Sequence, residues 1–206
     1  MEDVTEPFWE AGYADTGGPS VFGPPSEEMQ LVVSQLPAAA RVLDLGCGDG
    51  RNALFLLKQG LRVTAVDISA RAVAKLIANA RAYAELLHAE VADVREHSLG
   101  GPYDLVIAHG LLHLMPRVDW SRLMDRIQGD TAPHGYNVVA VFTDALPPPD
   151  DLERFMLGLF HEGELLERYA GWDVALHRSY VLEDEHPGGV RHRHPVNKIV
   201  AQRRVA

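Results

Sequence analysis

The chain has 206 residues, enough for one domain with a sizeable core, and 47% of them are hydrophobic. Its formal charge of −10 repels phosphate backbones and argues against a nucleic-acid partner. A single cysteine, Cys47, excludes an intramolecular disulfide and a cysteine-based zinc cluster. The first residues lack the apolar core of a signal peptide, and no apolar run approaches the ~20 residues of a membrane helix. We therefore expect a cytoplasmic protein without a membrane partner.

Residues 1–25 combine aromatic side chains with a stretch rich in glycine and proline. This composition is too broken for regular secondary structure. Two interpretations stay open: a frayed terminus, or a flexible lid in which Trp9 and Tyr13 close over a ligand. Residues 26–206 are expected to form a single domain, which begins with a helix capped by Ser26.

An apolar strand followed by a glycine turn organises the rest of the chain. The strand covers residues 42–45, and three glycines follow it at alternate positions: Gly46, Gly48 and Gly50. This pattern predicts a buried parallel strand, a tight turn and a helix over residues 52–59. Glycine suits such a turn because a side chain would keep a ligand from lying on the backbone.

Strands and helices then alternate along the chain. The helix that Ser69 caps has its apolar residues at helical spacing: Val73, Leu76, Ile77 and Ala80. Further strands are predicted over residues 62–67, 89–91, 103–108, 136–142, 172–181 and 196–201, and a helix over 151–159. Such alternation indicates an α/β fold, a doubly wound, mostly parallel seven-stranded sheet with helices on both faces and an antiparallel C-terminal hairpin. Ligands of such sheets lie at the carboxyl ends of the strands.

Acidic residues follow or end the first three predicted strands: Asp44, Asp67 and Asp93. A dinucleotide needs a G-x-G-x-x-G turn, whereas the spacing here is G-x-G-x-G, and Asp44 would repel a phosphate. An acid there suits the sulfonium and α-amino group of S-adenosylmethionine. Asp67 could accept both ribose hydroxyls, and Asp93 the adenine amine. Two alternatives stay open: an NAD-dependent oxidoreductase and a non-catalytic module that binds S-adenosylmethionine.

Residues 43–56, Gly135-Tyr136-Asn137 and residues 160–165 resemble the tellurite-resistance methyltransferases, which are class I S-adenosylmethionine-dependent methyltransferases. The resemblance implies a Rossmann-like methyltransferase fold. It also implies a set of cofactor-binding residues: Asp44, Gly46, Gly48, Gly50, Asn52, Asp67, Ile68, Asp93, Val94 and His109. His109 would approach the donor methyl group from the end of the fourth strand.

The segment between the last two strands concentrates cationic and titratable side chains. Tellurite-type members use a His-Arg pair and a further Arg to orient an oxyanion. Here His186 precedes Pro187, and the arginines follow as Arg191 and Arg193. The catalytic residues are thus expected to be His186, Arg191, Arg193 and His109, and the substrate-binding residues to be Trp9, Tyr13, His113, His192 and His194.

Other roles for these side chains stay open. The segment could be a solvated hairpin end, or His186, His192 and His194 could bind a metal. A metal is not the prediction, because no ligand-spacing signature accompanies the histidines. His109 and His113 could instead pack near the sheet edge.

The predicted activity is methyl transfer from S-adenosylmethionine to a small molecule, with a chalcogen oxyanion such as tellurite or selenite as one candidate. A small thiol, amine or hydroxyl metabolite is the alternative acceptor. A general base is needed only if the acceptor holds a proton at working pH.

Overall fold

A computed structural model describes residues 8–14, 18–186 and 190–205, with backbone alone for residues 8, 184–186 and 190. Its centre is a seven-stranded sheet in the order β3-β2-β1-β4-β5-β7-β6. The strands are β1 (Arg41–Leu45), β2 (Arg62–Asp67), β3 (Leu87–Val91), β4 (Tyr103–His109), β5 (Thr131–Phe142), β6 (Asp173–His186) and β7 (Val190–Gln202). Strands β1 to β5 are parallel, and β7 is antiparallel to both β5 and β6. The predicted sheet and terminal hairpin are confirmed.

Helices cover both faces of this sheet. They are α1 (Phe8–Gly12), α2 (Glu27–Val33), α3 (Arg51–Lys58), α4 (Ala70–Asn79), α5 (Arg117–Gly129) and α6 (Glu164–Arg168). Successive side chains of a strand point to opposite faces, so Val42 packs with α3 while Leu43 and Leu45 pack with α5. This explains why the central strands read as unbroken apolar runs. Within the described ranges, no helix is both long enough and apolar enough to cross a bilayer.

The helix predicted over residues 151–159 is wrong. Only a short 3₁₀ turn, Glu153–Phe155, forms there. The backbone N–H of Gly158 donates to the carbonyl oxygen of His113 (3.1 Å), outside any local helix. Gly158 also packs so closely on the preceding loop that a Cβ would lie 2.3 Å from the Met115 carbonyl oxygen. The segment therefore satisfies its backbone groups partly through a tertiary contact, which local apolar spacing does not reveal.

The inward face of α4 also differs from the prediction. Ile77 is 50% exposed, whereas Lys75 is only 2% exposed. The Lys75 ammonium lies 3.1 Å from the Asp49 carboxylate, which is buried in the glycine turn. A buried acid needs a cationic or hydrogen-bonding partner, and this need turns the lysine inward.

Candidate active site

The glycine turn joins β1 to α3 at the carboxyl edge of the sheet. The backbone N–H groups of Gly46 and Cys47 donate to the carbonyl oxygen of Val66 at 2.8 and 3.2 Å, which fastens the turn to β2. Gly48 has a φ of +53°, and a Cβ there would lie 2.9 Å from the Tyr13 hydroxyl oxygen. The positive φ therefore favours glycine at position 48, and the absence of a side chain leaves room for the Tyr13 hydroxyl.

Asp44, the first strand-end acid, is buried beneath this turn. Its Oδ2 has no hydrogen-bond partner among the described residues. Burial raises the pKa of Asp44 to about 7, although the Arg51 guanidinium opposes the shift. A buried carboxylate oxygen without a partner is costly, and a cationic ligand would remove that cost. Asp44 could therefore hold the positively charged part of a ligand, and its cofactor role stays a prediction.

Asp67, the second acid, holds the turn directly. Its Oδ2 accepts from the Gly48 N–H (2.8 Å) and its Oδ1 from the Ser69 N–H (2.9 Å). Burial raises the pKa of Asp67, and these backbone donors oppose the shift. The next side chain, Ile68, is 70% exposed, which offers an apolar surface beside the carboxylate. A nucleoside could use both features together.

The third acid, Asp93, already has a cationic partner. Both of its carboxylate oxygens accept from Arg95 Nε at 3.0 Å, and this pairing lowers the pKa of Asp93. The adjacent Val94 is buried in the core beside β4. An adenine amine would therefore share the Asp93 carboxylate with Arg95, a competition that the sequence prediction did not include.

The Asn52 side chain makes a hydrogen bond to the backbone of Ser26. Its side-chain Oδ1 accepts from the backbone N–H of Ser26 at 3.0 Å, and both residues are buried. This bond ties α3 to the residue that precedes α2. The structure gives Asn52 a role in positioning the two helices, and its cofactor role stays a prediction.

His109 lies at the end of β4 and contacts Arg51. Arg51 Nη2 lies 2.8 Å from His109 Nδ1, and Arg51 Nη1 donates to the Phe22 carbonyl oxygen (3.1 Å). Burial, and then the Arg51 charge, lower the pKa of His109 well below its ordinary value. Sequence reasoning did not include Arg51 in the site, although a cationic residue directly after the glycine turn was the available signal.

The His/Arg segment divides between the two faces of β7, as strand alternation requires. His192 and His194 are buried, whereas the Arg193 side chain is 63% exposed and lies 3.6 Å from Glu183. Arg191 is likewise exposed. Arg193 and His194 nevertheless line one concave surface, and the catalytic and substrate-binding roles of these four residues stay predictions. The role predicted for His186 lies on a side chain outside the described residues.

Three aromatic rings stack beside the end of β5. The His113 ring lies 4.2 Å from that of Phe142, which lies 4.5 Å from that of His194. His113 Nδ1 accepts from the Phe142 N–H (3.2 Å), and burial lowers the pKa of His113 to about 3. These contacts support a packing role for His113, and its substrate role stays a prediction. In the part of the chain that the structure describes, no three metal-ligating side chains cluster.

The described part of the N-terminal segment lies across the turn. Ser20 Oγ and the Val21 N–H donate to Asp49 at 2.5 and 2.8 Å, and Tyr13 is buried. The Trp9 ring lies 5.5 Å from that of Phe155, in the loop after β5. The segment therefore contacts both the glycine turn and the loop after β5.

Comparisons with known proteins show which family the chain resembles. The family model described as "Tellurite resistance protein TehB" matches residues 26–186. A probable S-adenosyl-L-methionine-dependent methyltransferase TehB of Haemophilus influenzae (strain 10810) is 30% identical over 144 residues, which are 68% of this chain and 48% of that protein. Hemagglutinin 1 of Eikenella corrodens is 33% identical over 140 residues, 68% of this chain and 46% of that protein. The chain thus spans about half the length of these curated relatives.

A solved structure shows the same fold. The crystal structure of TehB from Haemophilus influenzae superposes with a TM-score of 0.77 at 22% identity, over 87% of this chain and 62% of that one. This likeness agrees with the family match in the fold of the domain. The chain belongs to the tellurite resistance protein TehB family, and its domain has the class I methyltransferase fold.

Proposed function

We propose that this protein transfers the methyl group of S-adenosylmethionine to a small acceptor. The observation that carries the proposal is the buried, unpartnered Oδ2 of Asp44 beneath the glycine turn, with Asp67 on the adjacent strand. When bound, the cofactor supplies a methyl group already activated by its sulfonium. Asp44 would then face its positive charge, Asp67 its ribose, and the exposed Ile68 its adenine. Orientation of this kind can supply about 7–11 kcal/mol of a barrier.

The acceptor would lie beyond the carboxyl end of β5, where Phe142 ends the strand. A concave surface there lies between the loop after β5 and the β6–β7 hairpin, and it is lined in part by Phe142, Met156, Leu159, Arg193 and His194. The lining combines apolar side chains with one guanidinium, which suits a small anionic acceptor. A tellurite or selenite oxyanion fits this description, and so does a small thiolate. The formal charge of −10 disfavours a nucleic-acid acceptor.

We also propose that residues 1–25 act as a lid on the single domain formed by residues 26–206. The supporting contacts are those of Ser20 and Val21 with Asp49, and the ring contact between Trp9 and Phe155. A lid in this place would exclude water from both ligands during transfer.

Calorimetric titration with S-adenosylmethionine tests the cofactor site. Asp67→Ala should abolish measurable binding, because it removes the carboxylate that holds Gly48 in place and faces the ribose. Asp125→Ala is the matched control, since Asp125 lies 68% exposed on α5, and it should bind like the unchanged chain. Equal binding by Asp67→Ala, or tight binding of NAD with none of S-adenosylmethionine, would contradict the assignment.

The acceptor is tested by formation of S-adenosylhomocysteine with a panel of selenite, tellurite, thiols, amines, phenols and unmodified tRNA. We expect turnover with at least one small acceptor. Turnover with tRNA alone would replace the small-molecule proposal by a nucleic-acid one. Cofactor binding without turnover of any panel member would favour the non-catalytic module.

A further inference from the structure

The contact between Arg51 and His109 determines which imidazole nitrogen carries the proton. A guanidinium has five N–H donors and no acceptor. Because Arg51 Nη2 lies 2.8 Å from His109 Nδ1, that nitrogen must offer its lone pair. The single proton of a neutral imidazole is then on Nε2. Protonation of Nδ1 would place two donors against each other and break this hydrogen bond.

The Nε2–H group has no protein acceptor within the described ranges. The atom is shielded from solvent, so its donor is buried and unsatisfied. A buried donor of this kind costs free energy unless a ligand supplies a lone pair. His109 ends β4, at the carboxyl edge where the glycine turn also lies. We therefore expect the Nε2–H group of His109 to donate a hydrogen bond to a bound acceptor or to the cofactor.

Charged groups around His109 oppose its protonation from several elements. Arg51 contacts it from α3, and Lys198 adds a positive charge from β7. His113, on the 3₁₀ turn after β4, lies near it as well. The acids Asp44, Glu28 and Asp49 act electrostatically on Arg51, and Glu28 also lies 3.2 Å from Lys198. The histidine therefore lies next to cations that have acidic partners of their own.

We propose that Arg51 is a positioning residue that holds His109 as the neutral Nε2–H tautomer, so that His109 donates a hydrogen bond to the methyl acceptor and does not remove a proton from it. The proposal rests on the methyl-transfer function proposed above and deepens it. It restricts the acceptor to molecules whose attacking atom carries no proton at working pH, such as a chalcogen oxyanion, a thiolate or a phenolate. Neutral alcohols and protonated amines fall outside this class.

The chemistry balances without a base. The acceptor's lone pair forms the new bond to the methyl carbon, and the electrons of the carbon–sulfur bond return to sulfur. The acceptor gains one unit of positive charge, and the sulfonium becomes a neutral thioether. Since an anionic acceptor has no proton to lose, His109 needs only to donate to one of its atoms and fix its orientation.

The tautomer is measured by long-range ¹H–¹⁵N correlation spectra of the uniformly labelled full chain. We expect one His109 nitrogen, Nε2, to be protonated and Nδ1 to be unprotonated, without change between about pH 5.5 and 8.5. His109→Gln assigns the signals by their loss. An imidazolium near neutral pH, or a proton on Nδ1, would overturn the proposal whether or not any acceptor is methylated.

The positioning role of Arg51 is tested by Arg51→Met in the same spectra. Loss of the guanidinium should let the proton occupy Nδ1 as well as Nε2, because no donor then faces Nδ1, while burial still opposes the imidazolium. If this variant does not fold, the spectrum of the unchanged chain still decides between the tautomers. A His109 signal that stays identical in folded Arg51→Met would show that Arg51 does not hold the tautomer.

Turnover provides a second readout. Rates are compared for 4-nitrothiophenol, which is ionised at neutral pH, and 4-nitrobenzyl alcohol, which is not. His109→Gln keeps an N–H donor at similar reach and should exceed His109→Ala by about tenfold on the thiolate. The alcohol should not react. Equal loss in both variants, or a preference for the alcohol, would indicate a base. If neither probe is methylated, the proposal about the acceptor fails. The spectra still show which His109 nitrogen carries the proton.

Discussion

The protonation state of the Asp44 carboxyl should depend on whether a cationic ligand is bound beside it. Its carboxyl is buried with one oxygen unpartnered, and burial raises its pKa to about 7. Neutral pH is therefore close to the pKa of the Asp44 carboxyl, where the group gains or loses its proton. A cation beside it would favour the ionised form, because opposite charges at short range stabilise each other.

Asp44→Asn should remove the pH dependence of cofactor affinity. In the unchanged chain, affinity for S-adenosylmethionine should rise by about tenfold as pH increases from about 5.5 to 7.5, because the carboxyl must lose its proton to face the cation. The amide cannot ionise, so the variant should bind more weakly and with a flat profile. Calorimetry across pH measures both. An equally steep rise in the variant would contradict this role.

The stability of the unliganded protein should follow the opposite trend. The folded pKa of about 7 exceeds the ordinary value of 3.8, so between these values the folded state holds a proton that the unfolded state has lost. Stability therefore falls as pH rises through this window. Above about pH 7, Asp44→Asn should be the more stable protein by about 2 kcal/mol. Chemical unfolding at acidic and alkaline pH tests the sign.

At the scale of elements, the glycine turn and α4 are joined by a buried ion pair. Lys75 and Asp49 lie 3.1 Å apart with almost no exposure. Asp49 also accepts from Ser20 and Val21, so the pair links three parts of the chain. Breaking one partner of a buried pair leaves an uncompensated charge, which is strongly destabilising.

Lys75→Met should therefore lower the free energy of unfolding by about 3 kcal/mol, although methionine fills a similar volume. Lys58→Met, at the exposed end of α3, is the control and should change it by less than about 0.5 kcal/mol. Urea unfolding followed by circular dichroism measures both. A Lys75→Met variant as stable as the control would show that the pair contributes nothing net.

The β6–β7 hairpin shows what strand alternation predicts and what it leaves out. His192 and His194 are two residues apart on β7, so alternation requires that they share a face, and both are buried. It did not reveal that the next ring in the stack is Phe142, because that contact joins residues more than fifty positions apart. Similarly, the apolar spacing of α4 assigned Ile77 to the core but gave no reason for Lys75 to turn inward.

For the molecule as a whole, three separate segments surround the carboxyl edge of the sheet: the N-terminal residues, the loop after β5 and the terminal hairpin. The contact between Trp9 and Phe155 joins the first two. His192 Nε2 lies 3.2 Å from Asp151, which joins the loop to the hairpin. A ligand at this edge would thus be enclosed by parts of the chain that no local motif connects.

Deletion of residues 1–22 should speed dissociation of S-adenosylmethionine by about tenfold, because it removes Tyr13 from above Gly48 and both donors to Asp49. The deletion leaves the Lys75–Asp49 pair in place, so the domain should still unfold cooperatively. Stopped-flow displacement with S-adenosylhomocysteine gives the rate. An unchanged rate would show that the segment does not act as a lid.

The sequence by itself determined the sheet, the glycine turn and the family resemblance, because strand periodicity, glycine spacing and strand-end acids are local features. Tertiary structure alone decided which atoms meet. It paired Arg51 with His109, and it buried Lys75 against Asp49. Those pairings depend on how distant or neighbouring elements pack and on which buried charges need partners. Neither is written in the spacing of residues along the chain.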